Sequence, residues 1–507
     1  MVKYVEGMNR GQVMFATMTL DDYIGKDNIC RVIDVFINGL NMAEMGFRYA
    51  QTKETGRPPY NPMDMCKLHL YGYLNQVVSS RKLERETQRN IELMWMMRGL
   101  TPDDRTISNF MKDNKKVLKK LFVAFRKFCK NMGLYGGELT SIDGTKEKAN
   151  NSRKHQYSKA GVEKEITYWE KQIERYMETV EQTDREEEGE QSLDRQRVEE
   201  ILKKMQEKKA HLEGVRGEIE ANGGEPICTV DKEAALMKLS GGKGYDVCYN
   251  TQTATDGLNG LIIDFNVTSN GSDIGELSDM VGRVQEALGV EEIIIVADTG
   301  YSNGAEIGKS EEMGATCLIP KPKPSHQPEN EKYRRDQFKY DEEKDSYTCP
   351  GGNELHYERT RERDGYKVYG NREACKGCPN REECTKSQAR EIERSPYQQQ
   401  VDQAAERAKN NPELYHRRQE LSEHPYGVTK SKWGYNQFHR RGKENATGES
   451  AMRYLAFNFR RVLNIMGAEK MIEALTKAAI FVKNRLALAI PESFDAVSFM
   501  WGSGARC

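Results

Sequence analysis

Two aspartates, each at the end of a short β-branched run, carry the most chemical information in this chain. Asp143 follows Leu139-Thr140-Ser141-Ile142, and Asp298 follows Ile293-Ile294-Ile295-Val296-Ala297. Such runs read as buried strands, and strand ends are where an open sheet presents its reactive groups. Two carboxylates brought together there repel unless something cationic lies between them. A pair of divalent metal ions is the usual answer. Singly, either aspartate could merely cap the turn after its strand; together, in this order, they point to a metal site.

Strands and helices must position that pair. Residues 1–135 read as helical. Helix-spaced apolar positions occur at Leu20–Ile24 and Ile33–Leu40, and Arg57-Pro58-Pro59-Tyr60-Asn61-Pro62 makes a rigid turn before a helix from about Met63. Thr101-Pro102-Asp103-Asp104 predicts a helix start with proline at the first helical position. The helix it opens carries Arg105, Ser108 and Asn109, and a basic helix with Leu118, Leu121, Phe122 and Phe125 on one face follows.

From Leu139 the period changes to strands. Tyr245–Ala254 alternates, turns at Asp256-Gly257 and returns as Leu261–Val267. Asp273 with Glu276 is expected to cap an amphipathic helix through Leu288. The strand to Asp298, a helix from about Asn303 and a strand at Thr316–Pro320 complete the order strand, strand, strand, helix, strand, helix, strand. That is the succession of a ribonuclease-H-like α/β core with a mixed sheet, Asp143 on its first strand and Asp298 ending its fourth.

Two inserts interrupt the core. Residues 161–222 form a highly charged helical stretch, with Asp184–Glu190 as the turn of an antiparallel helical hairpin. Residues 324–412 carry Cys349, Cys375, Cys378 and Cys384. Four thiolates, two of them in a Cys-x-x-Cys, can close a tetrahedral zinc site; free thiols and iron–sulfur or redox work are the alternatives. The domain reading is thus 1–135, an N-terminal helical domain; 136–160, the first core strand; 161–222, the charged insert; 223–323, the rest of the α/β core; 324–412, the cysteine-bearing insert; 413–485, a late acidic helix with basic C-terminal helices; and 486–507, a tail.

A length of 507 residues implies several domains. Mean hydropathy of −0.80 and the lack of any apolar run near 20 residues point away from membranes. Met1-Val2-Lys3-Tyr4-Val5-Glu6 has no apolar signal core, so a cytoplasmic protein is expected. The eleven cysteines, mostly scattered, fit reduced thiols. The net charge of −1 conceals segregation: His424–Asn464 holds eight Lys/Arg against two Glu, and Lys112–Lys130 eight against one Asp. Local patches govern phosphate binding, so nucleic acid is not excluded.

A metal pair in this architecture takes its third acidic ligand from a late helix. The segment Tyr415–Lys430 offers Glu423, with Lys430 two helical turns on and so on the same face. Glu420 and Glu449 compete for the role. Pro425 removes a backbone donor near Glu423 and predicts a kink or helix start there.

With these residues in view, the chain resembles the DDE transposases of bacterial insertion sequences, in particular the long subgroup with a cysteine-bearing insert before the final Glu. The likeness covers nearly the whole chain. It rests on the proline-rich turn, on Thr101–Ser108, Ser141–Thr145, Ala297–Tyr301 and Glu423–Gly427, and on the closing Ala451–Arg461. The family's Tyr-x-x-Arg…Glu…Lys signature falls on Tyr415, Arg418, Glu423 and Lys430, with four residues rather than three between Arg418 and Glu423.

The resemblance implies a catalytic triad of Asp143, Asp298 and Glu423 holding two Mg²⁺ (or Mn²⁺) ions. These would serve hydrolysis at a transposon end, followed by attack of the freed 3′-OH on target DNA. Lys146, Tyr415, Arg418 and Lys430 become backbone contacts. Trp433 and Tyr435 become candidates to stack on a base or to pack in the core. Recognition of the ends falls to the N-terminal helices, with Arg105, Ser108 and Asn109. Double-stranded DNA is the implied partner, in a homodimeric complex. The alternatives are a metal-dependent nuclease without strand transfer and a non-catalytic, zinc-stabilised DNA-binding protein.

Overall fold

A computed structural model describes residues 19–51, 58–151, 153–186, 195–239, 244–322, 329–363 and 365–488. Arg57 of the proline-rich turn, most of the Asp184–Glu190 turn, and residues 489–507 of the tail lie outside these ranges. The chain divides into two compact units, residues 1–128 with 455–507, and residues 129–454.

The first unit is helical. Its core gathers Phe36, Phe125 and Phe459, with ring centroids 5.1–5.9 Å apart. Leu118, Leu121, Phe122 and Phe125 are buried, as the apolar stripe of the basic helix predicts. The helix Asp104–Asp113 starts two residues later than the sequence suggests. Asp103 is the N-cap, its carboxylate accepting the Thr106 N–H at 2.6 Å, so Pro102 lies before the helix rather than in its first turn. Arg105 and Asn109 are exposed and Ser108 is half-buried, while Ile107, Phe110 and Met111 face the core.

The second unit is built on a six-stranded mixed sheet. Its strands are β1 (Leu139–Lys148), β2 (Ala235–Lys238), β3 (Tyr245–Asp256), β4 (Ile262–Thr268), β5 (Ile293–Val296) and β6 (Ala315–Leu318). The order is β2-β3-β1-β5-β6, with β4 also on β3. β3 pairs antiparallel with β1, β2 and β4, whereas β1, β5 and β6 run parallel. The predicted hairpin is thus β3 and β4, and Asp256 closes it. Its carboxylate accepts the backbone N–H groups of Gly136 (3.0 Å), Gly137 (3.2 Å) and Leu258 (2.9 Å).

Strand alternation sorts side chains to opposite faces. Ile293, Ile295 and Ala297 join Ile142, Ala254 and Ile263 in one core, beneath the helices α1 (Leu277–Leu288) and α2 (Gly304–Glu312). Val296 and Leu139 face the other side, against Ala408 and Leu421. These last belong to α3 (Gln398–Asn410) and α4 (Pro412–Tyr426). A parallel strand covered on both faces needs this near-continuous apolar run.

Two local expectations fail here. Asp273 does not cap α1, whose N-cap is Glu276 without a side-chain cap bond. The Asp273 carboxylate is instead taken by amides of β3, as described below. Nor does α4 begin at Pro425, which lies inside the helix; the chain changes from α-helix to a π-helical segment, Gly427–Lys432, two residues on.

The inserted regions have their own packing. The helices Lys159–Glu186 and Arg195–Ala221 meet through Val162, Ile166, Leu212, Val215 and Ile219. Five short strands between Lys339 and Arg394 form an antiparallel sheet in chain order.

Candidate active site

Register brings the two aspartates together. Ser141 of β1 pairs with Val296 of the parallel strand β5, so Asp143 and Asp298, each two residues further on, emerge at the same edge. Asp298 leaves the sheet and N-caps a short turn, its Oδ1 accepting the Gly300 N–H at 2.7 Å. Asp143, expected at a strand end, lies instead in mid-strand, because pairing with β3 carries β1 on to Lys148; it stands opposite Thr253, and its Oδ1 accepts the Gly144 N–H at 2.8 Å.

Burial pushes the Asp143 carboxyl up to about 7, and the charge of Asp298 pushes in the same direction. The Gly144 N–H and the Arg418 guanidinium pull it down, and Asp273 raises it further. A carboxyl held so high beside other carboxylates is the electrostatic mark of a place prepared for cations. Tyr301 lies against the same charges. Burial first, then Asp273, Asp143 and Asp298, carry its hydroxyl well above the phenol value.

The α4 helix crosses β1 in steps of four residues. Ser422 Oγ meets Ser141 Oγ at 2.8 Å. The Tyr426 hydroxyl donates to the Asp143 carbonyl oxygen at 2.7 Å and lies 2.7 Å from Thr253 Oγ1. Lys430 Nζ, from the π-helical segment, donates to Thr145 Oγ1 and to the Lys146 carbonyl oxygen, both at 2.8 Å. The face laid on β1 is therefore Ser422, Tyr426 and Lys430; Glu423, one residue round, is exposed. Arg418 sits over the Tyr415 ring at 5.6 Å, its buried Nε lacking a hydrogen-bond partner. Lys146 Nζ donates to the Lys238 carbonyl oxygen at 2.9 Å.

The competing glutamates occupy other places. Glu420 is exposed. Glu449 is fully buried and ion-paired with Arg453 (3.4 Å), which also binds Glu147 at 2.9 Å. That buried network ties the helix carrying Arg453 to β1 and leaves Glu449 committed to structure. Trp433 and Tyr435 are buried and meet edge to face at 6.0 Å, the core-packing alternative.

Sequence reasoning missed Asp273, Asn250, Gln252 and Tyr426. Gln252 Nε2 and Asn250 Nδ2 both donate to Asp273 Oδ1 at 2.8 Å, and the Tyr301 hydroxyl donates to Gln252 Oε1. One signal was available. Asn250 and Gln252 fall two residues apart, on one face of a strand read from its alternation, and amides on a covered face require partners.

Cys349, Cys375, Cys378 and Cys384 line a single cavity in the cysteine-bearing region, and all four are free thiols. Burial raises the Cys384 thiol, with the other three cysteines adding to the effect. Among the described residues, no three or more His, Cys, Asp or Glu side chains stand close enough as placed to grip an ion, at the aspartates or at this cavity.

Two family matches bear on identity. Residues 18–113 match a transposase domain (DUF772), and residues 348–463 match a transposase DDE domain. The second match contains Glu423 and Lys430, while Asp143 and Asp298 lie outside both. No curated protein matches the chain. A solved structure titled "Cryo-EM structure of piggyBac transposase synaptic complex with hairpin DNA" aligns over 92% of this chain and 82% of its own, at 9% identity and a TM-score of 0.29, too distant to bear on fold or function. One transposase domain family thus matches near the start of the chain and a transposase DDE domain spans its late acidic helix, each over less than half of the chain.

Proposed function

We propose that this chain is a DDE-type transposase that cuts insertion-sequence ends by metal-assisted hydrolysis and joins the freed 3′-OH to target DNA, with Asp143, Asp298 and Glu423 as its catalytic carboxylates. The observation that carries the proposal is the register-enforced meeting of Asp143 and Asp298 at one sheet edge, with the Asp143 carboxyl pushed to about 7. The strand order β2-β3-β1-β5-β6 supports a ribonuclease-H-like core.

The donor set fits Mg²⁺ or Mn²⁺, since hard carboxylate oxygens suit these ions and the crowded negative charge needs neutralising. Bound there, two such ions would activate the attacking hydroxyl and stabilise the departing 3′ oxygen. Asp143 and Asp298 hold the cations from the sheet edge. Glu423 reaches them from α4, whose footing on β1 through Ser422, Tyr426 and Lys430 fixes its height along the strand. Arg418, whose charge already acts on Asp143, holds the scissile phosphate with Tyr415, Lys146 and Lys430. Arg105, Ser108 and Asn109 contribute to recognition of the ends, in a homodimeric complex on double-stranded DNA.

The cysteine cavity is a structural zinc site in the same proposal, because four thiols sharing one pocket match zinc's preference for sulfur. No helix among the described residues is long and apolar enough to cross a membrane.

The test is cleavage of labelled duplex carrying the element's end, with Mg²⁺, by wild type and Asp298→Ala. Metal-dependent nicking at the end that vanishes in the variant supports the assignment, and added target DNA then separates strand transfer from nuclease action. End binding with equal nicking by both proteins refutes it.

A further inference from the structure

Asp273 lies 130 residues from Asp143 in the chain, yet its carboxylate rests on the two glycines that follow the catalytic aspartates. A Cβ on Gly144 would stand 2.3 Å from Asp273 Oδ1 and 2.5 Å from Gln252 Nε2. One on Gly300 would stand 2.9 Å from Asp298 Oδ1 and 3.4 Å from Asp273 Oδ2. Oxygens of Asp298 and Asp273 therefore border the same small space above Gly300. The Asp-Gly and Asp-Thr-Gly sequences leave room for this third carboxylate.

Asp273 is held rather than loose. Its Oδ1 takes both the Asn250 and Gln252 amide donors, and Oδ2 is turned toward Gly300 and Asp298. Asn250 supplies a second, independent sign. The side chain is fully buried, and with its nitrogen committed to Asp273, its carbonyl Oδ1 has no hydrogen-bond partner. A buried amide oxygen left bare is costly unless something occupies the space next to it. A hard cation, or a water bound to one, meets that need.

We propose that Asp273 is a further divalent-cation ligand of this centre, presenting Oδ2 beside Asp298, with Asn250 and Gln252 as the positioning residues that aim it. The proposal rests on Asp143 and Asp298 holding a divalent cation, and the experiment separates the two claims. Mn²⁺ affinity of the full-length protein is measured by calorimetry and by the free-ion electron paramagnetic resonance signal, without DNA. Wild type is compared with Asp143→Asn and Asp273→Asn, each first melted in EDTA to verify folding.

A tenfold or greater loss of Mn²⁺ affinity in both variants is the expected result. Loss in Asp143→Asn with Asp273→Asn within twofold of wild type overturns the role of Asp273 and leaves the metal site standing. Unchanged affinity in both variants overturns the metal site and the inference with it. Should Asp273→Asn fail to fold, oxidative backbone cleavage by Fe²⁺ and ascorbate on the wild type decides. Cuts near residue 273 as well as 143 and 298 are expected, and cuts at the latter two alone refute the proposal.

Discussion

Replacing Asp143 by asparagine keeps the shape of the side chain and removes its charge, which makes the cost of that charge measurable. In the metal-free protein, burial and the neighbouring Asp298 raise the Asp143 carboxyl from 3.8 to about 7. At about 1.4 kcal/mol per unit, a rise of roughly three units corresponds to about 4 kcal/mol. Partial solvent access to this half-buried group lowers the expectation to about 2–4 kcal/mol. The sign follows from proton counting. Between pH 3.8 and about 7 the native state keeps a proton that the unfolded chain has lost, so wild-type stability falls as pH rises through that window and is level above it. Asp143→Asn carries no such proton. Its stability should match wild type near pH 4 and exceed it by about 2–4 kcal/mol at pH 8. Urea unfolding in EDTA, followed by circular dichroism at intervals across this range, reads the difference directly. Millimolar Mn²⁺ should then stabilise wild type and leave the variant unmoved. Parallel curves for the two proteins from pH 4 to 8 would refute the claim that Asp143 is held at high pKa by its surroundings.

Further substitutions test the framework around the site. Gly144→Ala places a methyl group 2.3 Å from Asp273 Oδ1, so a stability loss of about 1–3 kcal/mol should accompany a tenfold or greater loss of end cleavage; full activity would show the contact to be slack. Tyr426→Phe removes the hydroxyl that meets the Asp143 carbonyl oxygen and Thr253, and the urea midpoint should report a loss of about 1 kcal/mol. Arg453→Met strands Glu147 and Glu449 in the interior, a change worth about 3–5 kcal/mol, with the unfolding midpoint as readout. Cys378→Ser removes one of the four thiols of the cavity, and atomic absorption should find bound zinc in wild type and markedly less in the variant.

The legible part of this protein was what local periodicity and charge can encode. Asp143 and Asp298 were visible because each ends a β-branched run, the β3–β4 hairpin because alternation reverses at Asp256-Gly257, and the basic helix because its apolar stripe has helical spacing. The cysteine cluster stood out by composition, and its four side chains do share a cavity. What failed was any statement that needed a partner distant in the chain. Asp273 carried a plausible local role as a helix cap, and the tertiary structure gave its carboxylate to two amides of β3 instead. Glu449 passed as a candidate ligand until Arg453 was found against it. The facing of the late acidic helix was likewise undecided, since the π-helical turn after Pro425 aligns Ser422, Tyr426 and Lys430 on β1. Sequence alone determined which runs form strands and which positions line helix faces, because those preferences act within a few residues. Only the folded sheet decided which carboxylates meet, because strand register, not chain distance, sets what lies across from Gly144 and Gly300.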